Sequence, residues 1–211
     1  MKNLIFDIDG TLWNTTGVVA GAWNKAIAKM AVPELASLTV TADMLKKEFG
    51  KPMDVIADDL FGDIDAGVKA ELLSLCCEYE QAALSECDED LTYEGMNDTL
   101  HKLSKNHNLF IVSNCQDGYI ELVIRKTGLT GLIKDFECFG RTELQKDENI
   151  KLVMERNGLE PSDTVYIGDT MGDFTATHKA GIKFVFASYG FGDVAEPDYV
   201  ISSMGELLKL V

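Results

Sequence analysis

Hydrophobic and polar positions follow two different rhythms along this chain. Six short apolar runs, residues 3–7, Asn108–Ser113, 136–140, Thr164–Gly168, Lys183–Ala187 and Tyr199–Ile201, are mostly rich in Val, Ile and Phe. Runs of this length and composition predict strands buried on both faces. Between them lie stretches with helical spacing. Residues 147–157 predict one helix, stopped by Gly158 and Pro161, a usual exit signal. Strands that alternate with helices make right-handed βαβ units. The expected fold class is therefore α/β, a Rossmann-like parallel sheet with helices on both faces.

Residues 14–90 lack this alternation. Val19, Trp23, Ile27 and Met30 recur at helical spacing, as do Val68, Leu72, Leu75, Cys76 and Tyr79. No strong strand pattern interrupts them. Residues 8–107 thus separate the first two strands, far more than a crossover needs. An inserted helical unit accounts for the excess. The expected organisation is an α/β core from residues 1–13 and 91–211, with a helical domain from 14–90 inserted in it. Fifteen acidic and six basic residues fall in that insertion, the pattern of a solvated helical surface.

Composition narrows the partners. The 211 residues include 19 Lys and Arg against 35 Asp and Glu, a formal charge of −16. That balance argues against nucleic acid and anionic membrane surfaces, which need local positive charge. It leaves room for a small anionic substrate, which responds to one pocket. No apolar run reaches transmembrane length, and the opening apolar stretch is too short for a secretory signal. Five cysteines, at 76, 77, 87, 115 and 138, form no CxxC pair. Reduced, mostly buried thiols in a cytoplasmic protein are expected, as a monomer or weak homo-oligomer.

Four segments carry candidate chemistry. The first is Asp7-Ile8-Asp9-Gly10-Thr11, directly after the first strand. If strand geometry continues, residues two apart face the same way, and both carboxylates sit at the end of the sheet where ligands bind. Crowded carboxylates need a counter-charge or hold a proton, and hard oxygen ligands suit Mg²⁺. An ordinary Asp-Gly turn is the alternative. The second is Gly168-Asp169 through Asp173, whose carboxylates are four residues apart at a helix start; helix capping is the alternative there. Two strands that both end in paired carboxylates make coincidence a poor explanation. The third is Ser113-Asn114 at a strand end, a fair anion site or plain turn chemistry. The fourth is a lysine to offset the acids: Lys146, Lys151 or Lys134.

These segments resemble, in order and spacing, the four motifs of the haloacid dehalogenase superfamily. Asp7-Ile8-Asp9-Gly10-Thr11 looks like the nucleophile motif, Ser113-Asn114 like the second, Lys146 like the third and Gly168-Asp169 through Asp173 like the acidic metal motif. Tyr93-Glu94-Gly95-Met96 resembles the segment that re-enters the core, and the insertion resembles a C1 cap, as in phosphoglycolate phosphatases and β-phosphoglucomutases. The resemblance implies that Asp7 is the nucleophile and forms an aspartyl-phosphate. It implies that Asp9 is the acid and base, and that Thr11, Ser113, Asn114 and Lys146 hold the phosphoryl group. The cofactor implied is Mg²⁺, held by Asp7, Asp9 through its backbone carbonyl, Asp169 and, directly or behind them, Asp173. An acid at position 9 favours phosphorus chemistry over carbon–halogen cleavage.

The implied reaction is hydrolysis of a small phosphorylated metabolite. A phosphomutase or a phospho-aspartate receiver are the alternatives, the latter disfavoured by the long insertion. Gly50-Lys51-Pro52-Met53 resembles a specificity loop, so Lys51 is a candidate contact for a second anionic group, or simply a surface lysine. Trp13, at the junction, is a candidate lining residue or hinge packing. Tyr189-Gly190-Phe191-Gly192 is expected to be a mobile loop near the site, or an aromatic turn. His101, His107 and His178 are expected to be solvated or structural.

Overall fold

The computed structural model describes all 211 residues. They divide into two compact units, residues 1–14 with 91–211, and residues 15–90. No helix is long and apolar enough to cross a membrane.

The larger unit is built on six parallel strands: β1 (Asn3–Phe6), β2 (Asn108–Ser113), β3 (Ile133–Cys138), β4 (Thr164–Gly168), β5 (Lys183–Ala187) and β6 (Tyr199–Ile201). Their order is β3-β2-β1-β4-β5-β6. The chain winds outward from β1 through β2 to β3, then returns to β4 on the other side of β1. That reversal opens a crevice at the carboxyl ends of β1 and β4, where ligands of open α/β sheets bind. Asp7 directly follows β1, and Asp169 directly follows β4.

The smaller unit contributes α1 (Thr16–Met30), α2 (Ala42–Glu48), α3 (Met53–Phe61) and α4 (Ala66–Glu86). The larger contributes α5 (Met96–Leu103), α6 (Tyr119–Lys126), α7 (Phe139–Thr142), α8 (Lys146–Asn157), α9 (Met171–Lys179) and α10 (Leu207–Leu210). On one face of the sheet, Ile5, Phe110, Val112, Tyr166, Phe184 and Phe186 bury against Ile150, Val153 and Met154 of α8 and Ala176 of α9. The alternate residues, among them Leu4, Phe6, Leu109, Ile111, Val165 and Ile167, are buried on the other face. Helices α5 and α6 pack on β2 and β3. Strands covered on both faces are continuously apolar, which made them readable.

Three elements differ from expectation. β1 ends at Phe6, one residue before the expected limit. The third strand is Ile133–Cys138, not residues 136–140, because β3 is an edge strand with polar residues at 134, 135 and 137. The chain leaves it at Phe139, and a Cβ on Gly140 would collide with the backbone of Gln116 and Asp117. Helix α8 begins at Lys146, one residue early, because Gln145 and Glu148 close a capping box around its first turn.

In the smaller unit α1 packs along α4. Trp23 is fully buried and donates from Nε1 to the buried Glu80 at 2.8 Å. This bond satisfies a carboxylate that would otherwise be costly to bury. All five cysteines are free; Cys76, Cys115 and Cys138 are buried. His101 and His107 bond to the carbonyls of Asn97 and Met1 through Nδ1.

Asp198, which precedes β6, ties that edge to β5. It accepts from Lys183 at 2.6 Å, His178 at 2.7 Å and the Phe184 amide at 3.0 Å. Burial alone would raise its carboxyl, but these three donors outweigh burial and pull it down to about 2. A depressed carboxyl contributes stability above its unfolded value, and that contribution fades as pH falls through about 2. Asp198→Asn is expected to lower the melting temperature by roughly 2–4 °C at pH 7, the shift that about 1 kcal/mol produces at this size. The deficit should shrink as the melts are repeated from pH 4 downward. A deficit independent of pH would mean that the charge contributes nothing.

Candidate active site

The loop after β1 carries Asp7 and Asp9 into the crevice. Asp7 is 1% exposed, and its amide continues the sheet by donating to Ile167 at 2.9 Å. Gly10 then turns the chain with φ +84°, and a Cβ there would collide with the Asp169 carboxylate. Only glycine suits both demands. Across the switch point, the loop after β4 carries Asp169 and leads into α9, where Asp173 is the third residue.

Asp7, Asp169 and Asp173 converge: one carboxylate oxygen from each lies within 4.8 Å of the others, and all three residues are buried. One cation answers them. Lys146, 4% exposed, reaches in from the first position of α8 to Asp7 Oδ1 at 3.1 Å and Asp173 Oδ1 at 2.5 Å. Lys151 pairs instead with Asp147 on the same helix, and Lys134 is exposed on β3. The structure thus separates the three candidates.

The three acids differ in what their oxygens already hold. Asp173 Oδ2 accepts from the Thr170 hydroxyl at 2.7 Å, the Thr170 amide at 3.0 Å and the Asp169 amide at 3.2 Å. It is a helix cap and a member of the cluster at once, so its two readings coexist. Asp169 Oδ2 accepts from the Phe191 amide at 2.7 Å, and Oδ1 faces the Thr11 hydroxyl at 3.4 Å. Asp7 accepts from Lys146 and from Ser113, at the end of β2. Burial pushes the Asp7 carboxyl up to about 6, against the pull of Lys146. Burial, reinforced by Asp173 and Asp7, pushes Asp169 up to about 8. Burial works against the Lys146 charge, but Asp173 and Asp7 together raise its ammonium above the ordinary lysine value.

Three buried carboxylates against one ammonium leave an excess of negative charge that burial penalises. An all-oxygen donor set with that excess fits a hard divalent cation such as Mg²⁺.

The remaining candidates are placed as follows. Asp9 is half-buried, and its carboxylate stands outside the three-acid cluster; its Oδ1 accepts from the Tyr119 hydroxyl at 2.9 Å. Thr11 is fully buried, and its hydroxyl faces Asp169 at 3.4 Å. Asn114 is half-buried and follows Ser113 at the end of β2. Trp13 is buried, edge-on to Tyr119 at 5.8 Å between ring centroids. Lys51 lies between α2 and α3, where it bonds Glu48 at 2.6 Å and Asp59 at 2.7 Å.

Sequence reasoning missed several groups. Tyr166 lies within the apolar run Thr164–Gly168, and Tyr119 belongs to none of the four segments. The Tyr166 hydroxyl, fully buried, donates to the Val112 carbonyl at 2.7 Å beside Asp173. The segment 189–192 is tied down: Tyr189 donates to the Thr11 carbonyl at 3.0 Å, and the Phe191 amide holds Asp169. A Cβ on Gly190 would collide with Asp169, so this loop can approach only because it lacks one. The repeated glycines at 190 and 192 were the available signal.

The sequence model of the haloacid dehalogenase-like hydrolases matches residues 4–187. A phosphoglycolate phosphatase from Mannheimia succiniciproducens is 25% identical, across 100% of this chain and 98% of that protein. The pyrophosphatase PpaX of Oceanobacillus iheyensis is 21% identical, across 100% of this chain and 97% of its own. Among solved structures, a haloacid dehalogenase-like hydrolase from Streptococcus pneumoniae shares the fold with a TM-score of 0.84 at 19% identity, covering 100% of this chain and 98% of that one. A sequence match that runs unbroken from β1 to the end of β5 makes this chain a member of the haloacid dehalogenase-like hydrolase family.

Proposed function

We propose that the chain is a Mg²⁺-dependent phosphatase that hydrolyses a small phosphorylated metabolite, phosphoglycolate-like in class, through an aspartyl-phosphate on Asp7. One observation carries the reading. Asp7 is buried at the switch point, bonded to Lys146 and Ser113, and grouped with two further carboxylates, with the Asp9 carboxylate two residues on and outside that group. The relatives named phosphoglycolate phosphatase support the reaction class.

In the proposed cycle an Asp7 carboxylate oxygen attacks phosphorus while Asp9 gives its proton to the departing alkoxide. The product alcohol leaves, and Asp7 carries the phosphoryl group. Asp9, now a carboxylate, takes a proton from water as that water attacks phosphorus, and Asp7 departs as a carboxylate. Using one group in both directions keeps the proton count closed. Lys146, Ser113 and Asn114 hold the phosphoryl oxygens, the positioning and charge stabilisation that phosphoryl transfer chiefly requires. Thr11 and the Phe191 amide hold Asp169 in place. Asp7, the Asp9 carbonyl and Asp169 would hold Mg²⁺, with Asp173 steering Lys146 behind them. When bound, the metal supplies positive charge against the phosphoryl oxygens. The helical unit formed by residues 15–90 is assigned the role of a cap that governs substrate choice.

Phosphate release from a panel of phosphorylated metabolites, with Mg²⁺ and with chelator, tests the reading. Chelator-sensitive release from a narrow set is expected. No release from any member, with isomerisation of β-glucose 1-phosphate instead, would overturn hydrolysis. Asp7→Asn is expected to abolish turnover while the circular dichroism spectrum stays unchanged; wild-type turnover in a folded variant would sink the mechanism.

The raised carboxyls give a pH test. Their folded values, about 6 and about 8, lie above the ordinary 3.8. The folded state therefore binds more protons than the unfolded one, and the stability of metal-free protein falls as pH rises. Melting in chelator should drop between pH 6 and pH 8, and Mg²⁺ should raise it more at pH 8. Equal Mg²⁺ stabilisation at both values would contradict binding at these acids.

A further inference from the structure

Asp9 differs from its neighbours in having no place in the carboxylate cluster. Its orientation is instead set by two aromatic residues. Trp13 pairs with Asp9 and with Thr92 through isolated bridges, and its carbonyl accepts from the Gly10 amide at 3.0 Å. The Asp9 loop is thereby closed on the Trp13 backbone. The Trp13 ring meets Tyr119 edge-on, at 67° between planes. Its buried indole N–H has no acceptor, so Trp13 acts on Tyr119 by packing. Tyr119 is 1% exposed, opens α6 directly after the left-handed Gly118, and delivers its hydroxyl to Asp9 Oδ1 at 2.9 Å. The backbone that carries Asp9 and the ring that carries its hydrogen-bond donor are thus parts of one packed assembly.

We propose that Tyr119 is a positioning residue for Asp9: its hydroxyl occupies Oδ1 and fixes the carboxyl so that Oδ2 serves the substrate. A buried tyrosine hydroxyl must find an acceptor, and Asp9 Oδ1 is in place to be one. A hydrogen bond to a carboxylate is stronger than one between neutral groups and favours one rotamer over its competitors. The proposal rests on the reading of Asp9 as the acid that protonates the leaving group. An aryloxide leaves without a proton, whereas an alkoxide needs one, so leaving-group dependence reports Asp9 specifically.

The test compares kcat/KM for an alkyl phosphate and for p-nitrophenyl phosphate in wild type, Tyr119→Phe, Asp9→Asn and the double variant, with melting temperatures measured alongside. For Tyr119→Phe we expect a roughly tenfold loss on the alkyl ester and less than about twofold on the aryl ester, with KM unchanged. Asp9→Asn should show the same contrast, more deeply. The double variant should be no worse than Asp9→Asn, because two residues acting through one group are not additive. Equal losses on both substrates, or losses that add in the double variant, would assign Tyr119 a merely structural role. Wild-type values for Tyr119→Phe beside a contrasting Asp9→Asn would overturn the proposal alone. A lack of contrast in Asp9→Asn would overturn the reading of Asp9 itself, and the proposal with it.

Discussion

The crowding of Asp7, Asp169 and Asp173 around Lys146 in a buried crevice is the constraint to which the rest of the larger unit is fitted. Ionised groups out of water are costly unless each is paired or hydrogen-bonded, and every nearby element answers that cost. Helix α8 begins where Lys146 can reach both Asp7 and Asp173. Helix α9 turns its amino end toward Asp173, where amides and the helix dipole favour a negative charge. The segment after β5 brings the Phe191 amide to Asp169. Glycine at 10 and 190 lets backbone approach where a side chain would collide. The sheet order contributes the first step, because only the reversal between β1 and β4 puts two strand ends beside one crevice.

Within that constraint, three chemically identical side chains become different tools. Asp173 has both oxygens engaged, by Lys146 and by the start of its own helix, so it is a fixture that aims a cation. Asp169 is held by the Phe191 amide and Thr11 yet stays pushed toward its neutral form, the state of a ligand awaiting a counter-charge. Asp7 receives one lysine and one serine, and its upward shift is smaller than that of Asp169. Asp9 stands outside the cluster and accepts from Tyr119. The proposed nucleophile and the proposed acid, two residues apart, therefore have different surroundings, which is how one loop could hold both.

Local features were legible in the sequence, and non-local ones were not. The strands β2, β4 and β5 carry apolar runs because both faces are covered, and their limits could be read directly, as could those of the short edge strand β6. Strand β3 is an edge strand whose second and third residues, Lys134 and Asp135, are polar, which hid its start. The carboxylate pairs are contiguous motifs and could be found by spacing. Lys146 could not be separated from Lys151 by composition, since the capping box that starts α8 is what turns Lys146 inward. Tyr119 and Phe191 are 110 and 22 residues from the acids they hold. One is disguised as an apolar helix residue, and the other acts through a backbone amide that any residue possesses.

The same division bears on substrate choice. In the proposed reading the acid–lysine cluster, assembled from short motifs, holds only the phosphoryl group, so it would not distinguish one phosphate ester from another. Relatives named for phosphoglycolate and for pyrophosphate chemistry align along the whole chain, which fits discrimination by residues outside the cluster. Lys51 shows how little such a residue reveals of itself. Its ammonium already bonds Glu48 and Asp59, and these hydrogen bonds, Asp59 foremost, raise it above the ordinary lysine value. Exposed ion pairs are worth at most about 1 kcal/mol each, so these contacts are the ordinary dress of a surface lysine that links the end of α2 to α3.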